Sequence, residues 1–157
     1  MSAAGVRTGY ETFTQTAAAA YAALRALGAC VDDSGLEKSL TELVKLRVSQ
    51  INGCAFCIQF HLNIARGAGI AAEKLDLVAA WREAGVFTAR EMAALSWAET
   101  LTAMDNDAAS DADYAALLEQ FTQSEAMFLT IAVGTINQWN RIAVGLRFSP
   151  PLPSRPA

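Results

Sequence analysis

The sequence predicts an all-α fold, built as a single domain. Helix-favouring Ala, Leu, Glu, Met and Gln abound, and apolar residues recur at steps of three and four. No stretch alternates apolar and polar residues as a half-buried strand would. The Asn52-Gly53 dipeptide, elsewhere a hairpin signal, sits here between two helical patterns.

The elements follow in order. A first helix is expected over Tyr10 to Leu27, with Phe13, Ala17, Tyr21 and Leu24 on one face and Gly28 as its stop. Val31 to Gly35 reads as a polar turn. A second helix runs from Glu37 to Ile51, carrying Leu40, Leu43, Val44 and Val48, and Asn52-Gly53 ends it. A third starts at Cys54 and runs to Arg66, closed by Gly67-Ala68-Gly69. These two form a helical hairpin that sets a Cys-x-x-Cys at a helix N-terminus. A fourth helix spans Glu73 to Glu83. Thr88 and Glu91 form a capping box that opens the next helix, through Leu101. Asp105 to Ser110 is a polar loop. Asp111 or Asp113 caps a short helix through Phe121, and Ser124 caps a final helix from Glu125 to Arg147. Residues 1–9 are thus expected to be a flexible N-terminus, 10–148 the domain, and 149–157 a proline-rich tail.

Charge and composition narrow the function classes. The chain of 157 residues carries a net charge of −4, and its 12 Lys and Arg are scattered, so no nucleic-acid partner is expected. No apolar run is long enough for a membrane span. The N-terminal Met-Ser-Ala-Ala-Gly-Val-Arg lacks a secretory pattern, which makes the cytoplasm the expected location. Three cysteines, an odd number, argue against a structural disulfide framework. A mean hydropathy of +0.23 on short helices predicts faces buried between subunits.

The chemistry concentrates at Cys54-Ala-Phe-Cys57 and His61. Two cysteines three apart share a helical face, and the first can close a disulfide from the less constrained opening turn. The unpaired N–H groups and dipole of a helix start favour a thiolate. His61, the sole histidine, is four residues after Cys57 and can take a thiol proton directly or through a water. In a hairpin about Asn52-Gly53, Glu42 lies at a similar height to His61, offset by about half a turn. It would hold the imidazole in one tautomer or pass its proton on. A zinc site made of Cys54, Cys57, His61 and Glu42 is the competing reading. A thioredoxin-type fold would need strands that the pattern lacks. Cys30 reads as a small hydrophobe, and Trp81, Trp97 and Trp139 as core or subunit-interface aromatics. Phe56 and Phe60 read as packing residues before pocket walls, and Asn137 with Arg141 as structural partners of Glu99 or Glu125.

The run from Glu42 to His61, with Glu42, Cys54, Cys57 and His61 at their spacings, resembles the active-site signature of AhpD-like alkylhydroperoxidases, of the carboxymuconolactone decarboxylase superfamily. Ala80-Trp81-Arg82-Glu83-Ala84, Phe87-Thr88-Ala89-Arg90-Glu91 and Ile136-Asn137-Gln138-Trp139-Asn140-Arg141 are similar to the family's later helices. The resemblance implies an AhpD-like helical bundle assembled as a homo-oligomer, a trimer or hexamer. It implies a thiol-dependent peroxidase acting on hydrogen peroxide or organic hydroperoxides, with no cofactor and no metal. Cys57 would attack the peroxide, Cys54 would resolve the sulfenic acid into a disulfide, and His61 with Glu42 would relay protons. The partners implied are a small peroxide and a dithiol reductant of lipoyl or thioredoxin type. Phe56 departs from members with a histidine inside the Cys-x-x-Cys, which implies a less activated Cys54 and slower turnover. Two other readings compete: a redox-sensing or partner-binding oligomer with a switchable dithiol, and a non-redox enzyme on the same scaffold.

Overall fold

The computed structural model describes residues 5–153, and every regular element among them is helical. In chain order these are α1 (Tyr10–Thr16), α2 (Ala18–Asp32), α3 (Lys38–Ile51), α4 (Ala55–Gly67), α5 (Ala72–Leu77), a 3-10 turn (Val78–Ala80), α6 (Trp81–Ala84), α7 (Ala89–Ala103), α8 (Asp111–Leu118) and α9 (Gln123–Leu146). None is long and apolar enough to cross a membrane.

Helix α3 is the axis of the fold, packing against α4, α7 and α9. Leu40, Val44 and Val48 recur at four-residue steps and face Ala94, Ala98, Leu129 and Val133. Leu43 and Leu46 point the other way, into a second cluster with Ala65, Leu75, Val78, Trp81 and Leu95. A helix apolar on two sides has to be buried. That burial leaves Glu42, on a third face, with no exposed surface.

Four of the expected helices differ in their boundaries. The first helix breaks at Ala17 (φ −106°, ψ 40°) and then runs past Gly28 to Asp32. The break folds α1 back, so that Tyr10 packs on Phe56 and Phe13 on Trp139, at ring separations of 5.0 and 6.1 Å. Gly28 does not stop α2; the chain turns instead where Ser34 bonds back to the Val31 carbonyl. The fourth helix splits at the 3-10 turn because its buried residues, Leu75, Val78 and Trp81, repeat every three positions. Ser110, not Asp111 or Asp113, caps α8, with Asp113 closing the box from the third helical position; α8 ends at Leu118, short of Phe121. Thr122, not Ser124, caps α9, because Glu125 stands at the spacing that closes a box with Thr122. The Thr88–Glu91 box is present as expected.

The expected terminal segments fall partly outside the described residues. Within them, the Arg7 and Thr8 N–H groups donate to the Leu146 carbonyl, and Asn63 donates to that of Pro151.

Candidate active site

The α3–α4 hairpin builds the site. Gly53 takes φ +64°, the left-handed region where a side chain is strained, and so turns the chain within a few residues. The Cys54 N–H then reaches the Ser49 carbonyl at 3.0 Å. Cys54 becomes the N-cap of α4, and its sulfur accepts the Cys57 N–H at 3.2 Å. The two cysteines are joined as a disulfide, with their Cα atoms 5.3 Å apart.

A buried amide network pins this turn to α9. Asn52 Nδ2 donates to Asn137 Oδ1 and Asn140 Oδ1, both at 2.9 Å. Asn140, itself 1% exposed, donates to Ser49 Oγ at 3.0 Å. Arg141 does not reach Glu99 or Glu125. It donates to the carbonyl and side chain of Asn137, one turn back on its own helix. Those carboxylates are taken by partners the sequence did not suggest: Arg47, Arg82 and Trp81 on Glu99, and Arg90 on Glu125.

His61 and Glu42 meet directly, Nδ1 to Oε2, at 2.7 Å. Oε1 of Glu42 is held by Lys45 Nζ at 3.0 Å and Lys38 Nζ at 3.2 Å, and Lys38 also holds Asp32. Burial opposes the charge on Glu42, but the hydrogen bond from His61 and the charges of His61 and Lys45 outweigh it. They lower its pKa to about 2. An ionised carboxylate only accepts, so the proton of the Glu42–His61 bond sits on Nδ1 and leaves Nε2 as the free ring nitrogen. The two lysines are charged neighbours of Glu42 that the motif did not reveal. Their signal was present as spacing: Lys38 is four before Glu42, and Lys45 three after it.

A cavity of about 170 Å³ opens over this cluster. Cys57 and His61 lie on its wall together; Cys54, 1% exposed, does not reach it. Phe56, Phe60 and Trp139, expected as packing residues, also form this wall, along with Tyr10. No group of three or more His, Cys, Asp or Glu among the described residues stands close enough to hold a metal ion. Cys30 is exposed on α2 rather than packed.

Residues 12–100, more than half of the chain, match the carboxymuconolactone decarboxylase family. The chain belongs to that family. It is an AhpD-like member, as a solved structure at 38% identity indicates. The ATU0492 protein of Agrobacterium tumefaciens, a protein of unknown function linked by name to AhpD antioxidant defence, is 38% identical. The match covers 95% of this chain and 100% of that one, with a TM-score of 0.87. The uncharacterised protein YdfG of Bacillus subtilis is 34% identical over 113 residues, which is 72% of this chain and 77% of YdfG. A peroxidase-related protein with an alkylhydroperoxidase AhpD core, from Ralstonia eutropha, shares the fold at 24% identity. That match has a TM-score of 0.78 and covers 88% of this chain and 74% of that one. The family match ends at residue 100, so the Asn137, Trp139 and Asn140 contributions from α9 lie beyond it.

Proposed function

We propose that this AhpD-like protein is a dithiol peroxidase that reduces hydrogen peroxide or organic hydroperoxides. The observation that carries the reading is the shared wall: Cys57 and His61 face one cavity, while Cys54 stands behind, bonded to Cys57. In the reduced protein the Cys57 thiolate attacks the outer peroxide oxygen. An S–O bond forms, the O–O bond breaks, and the leaving hydroxide or alkoxide takes a proton and departs as water or the alcohol. Cys54 sulfur then attacks the Cys57 sulfenic acid, closing the disulfide and releasing water. His61 Nε2 takes the thiol proton and returns it to the leaving oxygen. Glu42, ionised well below neutral pH, fixes the tautomer rather than accepting that proton. A small dithiol returns the disulfide to thiols, with two electrons and two protons passing from reductant to protein. A reducing cytoplasm suits such a cycle. The exposed Met127, Ile131 and Val144 of α9 support a homo-oligomer.

The test is peroxide consumption by the reduced protein with cumene hydroperoxide. The native protein consumes one equivalent and ends as the Cys54–Cys57 disulfide. Cys54→Ser also consumes one equivalent and leaves a trappable sulfenic acid, while Cys57→Ser consumes none. Unchanged consumption by Cys57→Ser refutes the assignment.

A further inference from the structure

The cavity is far larger than hydrogen peroxide requires. Its volume of about 170 Å³ is close to that of an engineered apolar cavity, roughly 150 Å³, that admits benzene. Its body is aromatic, with Phe56, Phe60 and Trp139 presenting rings to the space. Aromatic walls favour a flat, single-ring guest.

Its charge runs against that of the molecule. The chain carries −4, yet the cavity is lined by three cations, Arg25, Lys38 and Lys45, and two carboxylates, Asp32 and Glu42. Both lysines are committed, Lys38 to Asp32 and Glu42, and Lys45 to Glu42. Arg25 makes no ion pair or side-chain hydrogen bond among the described residues. Its charge stands on α2, whereas the sulfur and the imidazole stand on α4. Lys38 and Lys45 balance Glu42 and Asp32, which leaves Arg25 as the uncompensated charge on the wall. An anionic guest is thus oriented with its charge toward Arg25 and its other end toward Cys57.

From this we infer that the cavity takes a single-ring aromatic ligand with an anionic group opposite its reacting end, and that Arg25 is the residue that selects the anion. The substrate class is then an aryl-alkyl hydroperoxide bearing a carboxylate. Shape and charge rest on the cavity alone; the word hydroperoxide rests on the peroxidase reading. The reaction is that given above: the O–O bond breaks, Cys57 is oxidised, and the hydroperoxide leaves as its alcohol.

Two measurements separate these layers. The first needs no turnover: para-isopropylbenzoate, an unreactive carboxylate, is titrated into the oxidised protein and followed by tryptophan fluorescence, Trp139 being on the wall. The native protein binds it, and Arg25→Ala binds it about tenfold more weakly, the weight of one charge-assisted interaction. Arg25→Lys recovers part of the loss. Arg66→Ala, an exposed cation at the end of α4 and away from the cavity, retains native binding. Equal affinity in native protein and Arg25→Ala, or no binding to either, overturns the inference. The second compares kcat/KM for cumene hydroperoxide and its para-carboxylate. The native protein prefers the carboxylate, and Arg25→Ala lowers that preference about tenfold through KM. A ratio unmoved by Arg25→Ala also overturns the inference. If the benzoate binds as stated but neither hydroperoxide is reduced, the peroxidase reading fails and the ligand's shape and charge stand.

Discussion

Replacing Glu42 with Gln tests the electrostatic centre of the site through stability rather than activity. The buried carboxyl titrates at about 2 in the folded chain against 4.5 when free of the fold. Between those values the unfolded chain binds more protons than the folded one, so stability rises with pH across that window. The contribution is complete above about pH 4.5 and is lost as pH falls through about 2. At about 1.4 kcal/mol per pH unit it amounts to about 3 kcal/mol. Glu42→Gln has no such titration. Glu37, Glu99 and Glu125 also have lowered pKa values through their Arg and Trp partners and, at Glu125, its capping bonds. They are common to both proteins and cancel in the difference. Urea melts of the two proteins, at one protein concentration and several pH values between about 7 and 2, read the gap directly. The native protein is the more stable at neutral pH, and its advantage shrinks by about 3 kcal/mol on acidification. A gap that does not change with pH would refute the view that Glu42 is ionised and held by His61 and the lysines.

Three further outcomes are expected. Asn140→Leu removes the bonds to Asn52 and Ser49, leaving Asn52 only Asn137 and Ser49 only the Lys45 carbonyl, costing about 2 kcal/mol in a urea melt; a loss below about 1 kcal/mol contradicts the bracing role. Phe56→Ala removes a ring packed on Tyr10, Phe60 and Phe148 at a cost of about 3–5 kcal/mol. It also speeds proteolysis within α1, and protection equal to native argues that α1 is held elsewhere. Because Cys57 is only 3% exposed, dihydrolipoamide reduces the disulfide at least about tenfold faster than thioredoxin, which has to dock a protein surface onto the attacked sulfur. Equal rates, followed by stopped-flow tryptophan fluorescence, place that sulfur within reach of a protein partner.

The hairpin and its sulfur pair were legible because local rules govern them. Asn52-Gly53 offers a residue free to take positive φ, and the offsets of Glu42 and His61 from that turn follow from helical rise alone. The Thr88 box was legible for the same reason. What escaped depends on competition or on long range. Ser110 and Thr122 outcompeted nearby candidates because each has an acidic residue at the spacing that closes a box. The amide network joins residues about 90 positions apart, which no periodicity encodes. Arg141 departs from the expectation because a neighbour one turn away satisfies it before a distant carboxylate does.

Gly28 shows how one such error leads back to function. Read locally, a glycine after an apolar helical run is a stop. In the fold it stays inside α2, where glycine costs about 1 kcal/mol relative to alanine. A Cβ placed there meets nothing within 4 Å, and Gly28 borders the cavity. Ala29 and Ala132 border it too, so α2 and α9 present small residues beside Trp139 while α4 contributes Phe56 and Phe60. A sealed void of this size would cost about 4 kcal/mol. The chamber opens outward instead, so its space can be used by solvent or by a guest. Small residues thus leave room on the cavity wall that Cys57 shares. The helix that supplies them also carries Arg25, so one weakly buried segment sets both the room above Cys57 and the charge at its far end.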